Sequence, residues 1–316
     1  MNRCLVTGGA GFVGSHLCDE LLARGHRVTA LDNLLTGSRD NLAHLKGHPR
    51  FRFVKADVTQ PFPKSLAPHD RVYHLASPAS PVGYMKFSIE TILTNSLGTL
   101  KLLEYCRKHR AKFLFASTSE VYGDPAVHPQ KETYWGNVNS FGPRSCYDES
   151  KRLGEAVVFE ALRKWNVDAR LVRIFNTYGP RLNENDGRVV SNFIVQALKG
   201  NKLTVYGDGR QTRSFCYVSD LVDGLIRAME KPHTKGGVFN LGNPQETPIS
   251  QFALTVLKHL GLSRSHILRK PLPQDDPTRR RPDISQARRV LGWAPRVPLS
   301  EGLGRTIEWY RGRIKS

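Results

Sequence analysis

The short apolar run Cys4-Leu5-Val6-Thr7 passes directly into Gly8-Gly9-Ala10-Gly11-Phe12-Val13-Gly14, and this junction restricts the fold more than any other part of the 316-residue chain. A strand, a tight glycine turn and the start of a helix follow one another in the order that a dinucleotide pyrophosphate requires. Gly8 permits the turn, Gly11 lets backbone N–H groups approach a phosphate, and Gly14 lets the helix pack closely on its strand. Phe12 and Val13, between these glycines, are candidate cofactor contacts with them. The next apolar run, Val28 to Asp32, ends in a carboxylate about twenty residues on. There Asp32, with Asn33 beside it, can accept hydrogen bonds from an adenosine ribose and repels a 2′-phosphate, which favours NAD over NADP. The plainer alternative, a turn with an Asp-Asn cap, does not account for strand, glycines, helix and acid in register.

The rest of the first half repeats the alternation. Apolar runs at Phe51 to Asp57, Val72 to Ala76, Phe113 to Ser117 and Asp168 to Phe175 are separated by helical patterns, including Thr91 to His109 and Tyr147 to Lys164. This predicts an α/β, Rossmann-type, doubly wound parallel sheet with helices on both faces. Beyond Pro180 the elements shorten: Val189 to Lys199 reads as helix and Leu203 to Tyr206 as strand. The spacing therefore predicts a dinucleotide-binding domain over 1–178 and a smaller substrate domain over 179–316. A strand at Val238 to Leu241 is expected to return to the first sheet, interleaving the two.

Tyr147 and Lys151 stand four apart in a helical stretch, so both side chains lie on one face. An ammonium near a phenol lowers the cost of ionising it, and of the ten tyrosines only Tyr147 has lysine at +4. The pair alone could be an ordinary surface contact in a basic chain. The preceding strand, however, ends in Thr118-Ser119-Glu120, two hydroxyls and an acid at the end of a parallel strand, where ligands collect.

These segments together resemble the extended short-chain dehydrogenase/reductases and, within them, the UDP-glucuronate decarboxylase family. The likeness is carried by Thr7 to Gly14, His74-Leu75-Ala76-Ser77-Pro78-Ala79-Ser80-Pro81, Thr118 to Pro125, Gly142-Pro143-Arg144-Ser145-Cys146-Tyr147-Asp148-Glu149 with Lys151-Arg152, Arg173 to Pro180, Asp186 to Phe193 and Gln274-Asp275-Asp276-Pro277. The resemblance implies NAD as cofactor, with Asp57, Val58, Leu75 and Ala76 bordering it and Lys151 on its nicotinamide ribose. It implies conversion of UDP-glucuronate to UDP-xylose: Tyr147 takes the C4 hydroxyl proton, hydride passes to NAD, the 4-keto sugar loses carbon dioxide, and hydride returns. Thr118 would bond near O4, and Ser119 and Glu120 would sit at the decarboxylating end. Glu beside Ser separates decarboxylases from the 4-epimerases, which carry a small or hydroxyl residue there, and from the 4,6-dehydratases, which carry Asp-Glu.

A UDP dianion needs cations. Arg188, Arg213 and Arg280 are the candidates, Arg280 by resemblance to an arginine near the substrate carboxylate, with Arg279 and Arg281 leaving the register open by one. Asn176 would contact the nucleotide, and Tyr206 would either stack on uracil or pack in the core. His74 has no partner at ligand spacing and reads as a packed histidine; no metal site is expected. Cys146 lacks a histidine partner and reads as a structural thiol.

The formal charge of +19 (47 Lys and Arg against 28 Asp and Glu) is spread along the chain, so solvated faces and a few anion-binding arginines account for it better than nucleic-acid binding. A sensor or nucleic-acid-binding protein that keeps an NAD fold is the non-enzyme alternative. Five scattered cysteines without CxxC spacing suit reduced thiols in a cytoplasm-like compartment, and no apolar stretch is long enough for a membrane span. The resemblance also implies a homodimer through the helices around Thr91 to His109 and Tyr147 to Lys164.

Overall fold

The fold was obtained as a computed structural model, and residues 1–271 and 280–314 are described. The alternating pattern forms seven parallel strands: β1 (Arg3–Thr7), β2 (Arg27–Asp32), β3 (Phe51–Lys55), β4 (Arg71–His74), β5 (Lys112–Thr118), β6 (Ala169–Ile174) and β7 (Val238–Leu241). Their order across the sheet is β7-β6-β5-β4-β1-β2-β3. The chain moves outward from β1 to β3, then crosses back to β4 on the other side of β1. The crevice beyond the ends of β1 and β4 is thus the point at which strand order reverses, where ligands bind in such sheets.

Several boundaries differ from the sequence pattern for local reasons. β3 stops at Lys55 because the Asp57 carboxylate turns the chain, accepting from the Thr59 N–H at 2.8 Å and from its hydroxyl at 2.7 Å. β4 stops at His74 because Leu75 and Ala76 bend around the glycine turn. The helix expected from Thr91 begins at Ser88, and a π turn at Thr94–Gly98 interrupts it before α2 (Thr99–His109).

Helix α1 (Phe12–Ala23) follows β1, and α3 (Ser145–Trp165) packs over β5 on the opposite face with α2 and the π turn. Close approach is possible because α3 carries Gly154 at the contact: a Cβ there would lie 2.5 Å from the Phe115 ring and 2.9 Å from the Asn95 carbonyl. Asn95 also donates to the Ser150 hydroxyl at 3.0 Å, and a half-buried bidentate pair joins Arg173 on β6 to Glu155 on α3 at 2.9 and 2.7 Å. These contacts fix the rotation of α3, and so the direction of Tyr147 and Lys151.

The later part supplies α4 (Val189–Leu198), α5 (Val218–Glu230), α6 (Ile249–Leu260) and α7 (Leu299–Ile314), with short two-stranded pairings at Leu203–Tyr206 with Ile267–Lys270 and at Thr212–Ser214 with Glu246–Pro248. Helix α5 packs on β5, β6 and β7, so chain from beyond residue 179 covers the first sheet. Among the described residues no helix is long and apolar enough to cross a membrane.

Candidate active site

A cavity of about 1240 Å³ opens at the strand ends, and every residue singled out from the sequence as a site residue lines it. One wall is the glycine turn. Gly8 has φ +70°, and a Cβ on it would lie 2.7 Å from the Ala76 nitrogen; a Cβ on Gly14 would lie 2.1 Å from the Gly8 carbonyl oxygen. Helix α1 begins at Phe12 with no side-chain cap, leaving its first N–H groups open to the cavity. Turn, bare helix N-terminus and close backbone fit a pyrophosphate. Changing Gly14 to Ala costs about 1–3 kcal/mol of overpacking strain; the expected result is a loss of NAD affinity by titration that exceeds any change in melting temperature.

Asp32 ends β2 nearly buried, with one carboxylate oxygen accepting from Leu34 N at 2.8 Å and the other from Ala10 N at 3.0 Å. Each oxygen keeps a further lone pair for a ribose hydroxyl. Burial raises its pKa against those two bonds. Asn33 donates to Asp57 at 2.8 Å; burial tends to raise the Asp57 carboxyl, but its Thr59 and Asn33 bonds prevail and lower it. Val58, Leu75 and Ala76 complete this part of the lining.

Tyr147 and Lys151 project from the first turns of α3 onto the end of β5. The Lys151 ammonium donates to the Ala116 carbonyl at 2.8 Å and lies 5.8 Å from the Tyr147 ring centre. Burial pushes its pKa down to about 7. Burial also raises the Tyr147 phenol well above its ordinary value; a hydrogen bond from Thr118 and the Arg188 charge oppose the rise, while Glu120 and Asp148 add to it. Among the charges that bear on the phenol, Arg188 is one that the helical spacing did not point to.

Beside Tyr147, Thr118 caps the turn Ser119–Tyr122, its hydroxyl accepting from Glu120 N at 3.2 Å. Ser119 is buried beside it. The Glu120 carboxylate is gripped by two guanidiniums, Arg280 on one oxygen and Arg144 on the other. Burial would raise this carboxyl, but Arg280 and Arg144 hold it below its usual range. Arg280 is fixed by donating to the Gly123 carbonyl at 2.8 Å, while the Ser214 hydroxyl donates to the Arg280 carbonyl at 3.1 Å; Arg281 instead donates its N–H to the Gln130 side-chain oxygen and accepts from the Gln130 N–H. Of the two described arginines, Arg280 is thus the one that meets Glu120. Gln274 to Pro277 and Arg279 lie outside the described residues.

Arg188 is held by both oxygens of Asp186, with Nη2 to Oδ2 at 2.8 Å, just before α4. Arg213 donates to the Thr212 carbonyl at 2.9 Å, and Asn176 follows β6. Tyr206 is 38% exposed, so the core alternative falls away and its ring borders the cavity. Residues given no role from sequence also stand here. Arg144 is the second cation on Glu120; Tyr84 stacks on Tyr147 with ring centres 4.9 Å apart and planes at 8°; Asp148 lies behind Arg144. Arg144 was detectable, being three residues before Tyr147 on one helical face, whereas nothing local marked Tyr84.

His74 is a core histidine, between the Thr7 and Thr99 hydroxyls at 2.8 and 3.1 Å, with burial pushing its pKa down to about 3. All five cysteines are unpaired, and burial raises the Cys146 thiol, which makes it a poor nucleophile.

Over residues 4–242 the chain matches the model of the NAD dependent epimerase/dehydratase family. The chain belongs to that family. Within it, the chain is 54% identical over 313 residues to UDP-glucuronic acid decarboxylase 1 of Danio rerio, covering 99% of this chain and 73% of that protein. It is 52% identical over 313 residues to UDP-glucuronic acid decarboxylase 3 of Arabidopsis thaliana, covering 99% and 90%. Among solved structures, the UDP-glucuronic acid 4-epimerase of Bacillus cereus in complex with UDP-glucuronic acid and NAD superposes with a TM-score of 0.88 at 30% identity, over 98% of this chain and 99% of that one. The epimerase/dehydratase family accounts for the Gly8 to Gly14 turn, the strand order and the Tyr147/Lys151 pair, and its cofactor, NAD, fits the cradle described above.

Proposed function

We propose that this protein is an NAD-dependent UDP-glucuronate decarboxylase that forms UDP-xylose. The observation that carries the reading is Glu120, clamped between Arg144 and Arg280 beside Ser119 at the Tyr147 end of the cavity. Gly8, Gly11, Phe12, Val13, Gly14, Asp32, Asn33, Asp57, Val58, Leu75, Ala76 and Lys151 hold NAD, which supplies a reversible hydride acceptor for the sugar C4. Tyr147 accepts the O4 proton as C4 is oxidised and returns it when C4 is reduced, with Thr118 bonding at the same oxygen. A ketone at C4 is β to the C6 carboxylate. The C5–C6 bond then breaks, its electron pair delocalises into the C4 enolate as carbon dioxide leaves, and C5 takes one proton. Ser119, Glu120 and Arg280 serve this end, while Asn176, Arg188, Tyr206 and Arg213 serve the UDP.

Residues 1–178, with β7, form the NAD-binding part and 179–316 the UDP-sugar part. Carbon dioxide release from UDP-glucuronate, with UDP-xylose as product, tests the reading. UDP-galacturonate without gas would make the protein a 4-epimerase instead.

A homodimer fits the apolar face left exposed along the helices before and within α2 and α3, where Ile89, Ile92, Leu93, Leu97, Leu153 and Phe159 are 37–63% exposed. Ile89→Asp is expected to shift the protein from dimer to monomer in sedimentation. An unchanged wild-type monomer would remove this assignment. Unpaired cysteines fit a reducing, cytoplasm-like compartment.

A further inference from the structure

Behind Tyr147, two carboxyls and two guanidiniums share one buried patch. Glu120 uses both oxygens, one on each arginine. Asp148 is placed differently. Its Oδ2 is 3.9 Å from the Arg144 Nε, beyond hydrogen-bond reach, and its Oδ1 is buried with no hydrogen-bond partner among the described residues. The residue is only 6% exposed. The Tyr84 hydroxyl is likewise buried and unpartnered, with the Arg144 guanidinium 6.0 Å from the Tyr84 ring centre. An ionised carboxylate held this way lacks the hydrogen bonds that offset its lost hydration, so the surroundings favour the neutral acid.

The charge of the patch follows from that one group. With Glu120 and Asp148 both ionised, the two arginines are neutralised. With Asp148 protonated, one positive charge remains beside the cavity. We propose that Asp148, which lies behind the cavity wall, is a positioning residue that sets this charge: as the neutral acid it leaves the Arg144–Glu120–Arg280 cluster able to receive the C6 carboxylate of a uronate, and on ionising it withdraws that capacity. The proposal rests on the decarboxylase reading and adds to it a determinant of acidic-sugar recognition.

The groups bearing on Asp148 agree in direction. Burial, with Glu120 next and Glu149 adding, pushes its carboxyl up to about 7 against the charges of Arg144 and Arg280. Tyr84 and Tyr147, the other neighbours, are both raised by burial and so neutral in this range. Below about pH 7 the acid form prevails and the patch is positive; above it the patch becomes neutral.

The test uses the NAD-loaded Tyr147→Phe protein, which is expected to bind without turning over. UDP-glucuronate and, in parallel, UDP-glucose, which has an uncharged hydroxymethyl group in place of the C6 carboxylate, are titrated from about pH 6 to about pH 9 in buffers of different ionisation heat. Affinity for UDP-glucuronate is expected to fall by up to about tenfold per pH unit above pH 7, with uptake of about one proton on binding, while UDP-glucose shows neither. Adding the near-isosteric Asp148→Asn should preserve tight uronate binding at high pH and abolish the uptake.

A uronate affinity that does not depend on pH in the protein with Asp148 intact overturns the proposal without involving a second variant. A dependence that survives Asp148→Asn overturns it too, assigning the titration to Lys151. Absence of uronate binding at every pH overturns the decarboxylase reading itself. Normal carbon dioxide release by the wild-type enzyme keeps that reading whichever way Asp148 falls.

Discussion

With Tyr147 replaced by Phe, turnover of UDP-glucuronate falls by about 10²–10⁴-fold, the range expected on removing a positioned acid–base group. NAD and UDP-glucose still bind within a few-fold of the wild type, because the lost hydroxyl is one polar atom in a cavity lined by many. The ring itself is retained, and with it the stacking on Tyr84 at 4.9 Å. Rapid-mixing measurement of reduced nicotinamide absorbance separates the step: no transient reduction should appear in the variant. Turnover near wild-type would remove Tyr147 from proton transfer. Loss of NAD binding would mean that the phenol holds the cofactor and not the substrate proton.

Glu120→Ala has the second large effect, and it is of two kinds. Arg144 and Arg280 lose the carboxylate that both of them grip, and stranding one side of a buried ion pair costs about 3–5 kcal/mol. The melting temperature should therefore drop by several degrees even with NAD bound. Glu120→Gln keeps the volume and separates folding from chemistry. In that variant carbon dioxide release is expected to fall by at least about 10²-fold while transient cofactor reduction persists, since Tyr147 and Lys151 are untouched. A variant that keeps releasing carbon dioxide at the wild-type rate, or that fails only in binding UDP, would show that Glu120 has been given the wrong task.

Both variants also bear on how Tyr147 is made reactive. Burial raises its phenol, and Glu120 and Asp148 add to that; Thr118 and Arg188 oppose it. Removing the Glu120 charge alone eases ionisation of Tyr147. C4 oxidation in Glu120→Gln should thus extend to lower pH than in the wild type, as read from the pH dependence of cofactor reduction. A profile that moves to higher pH would contradict the sign of this coupling.

Much of the architecture was legible because it depends on local periodicity. Strands β1 to β6 follow from apolar runs separated by helical patterns, and β7 from a late run of four residues flanked by glycines. The glycine turn was legible for a stronger reason: at Gly8 and Gly14 a single added carbon would collide with backbone, so few other sequences could occupy that geometry. Boundaries were less so. The π turn at Thr94–Gly98 is a packing accommodation against α3, and no helical pattern announces it.

The Tyr147/Lys151 spacing, the acid ending β2, and Thr118-Ser119-Glu120 ending β5 were set by the sequence alone, because a helix turn and a strand end carry their side chains in fixed directions. Which charges meet was decided only by the tertiary structure. Arg280 reaches Glu120 across 160 residues of chain, Arg188 approaches Tyr147 from the far wall, and Lys151 turns to the Ala116 carbonyl. Those pairings depend on long-range closure of the second part over the first sheet, and an arginine in a chain of charge +19 has no local signature that distinguishes a buried partner from a solvated one.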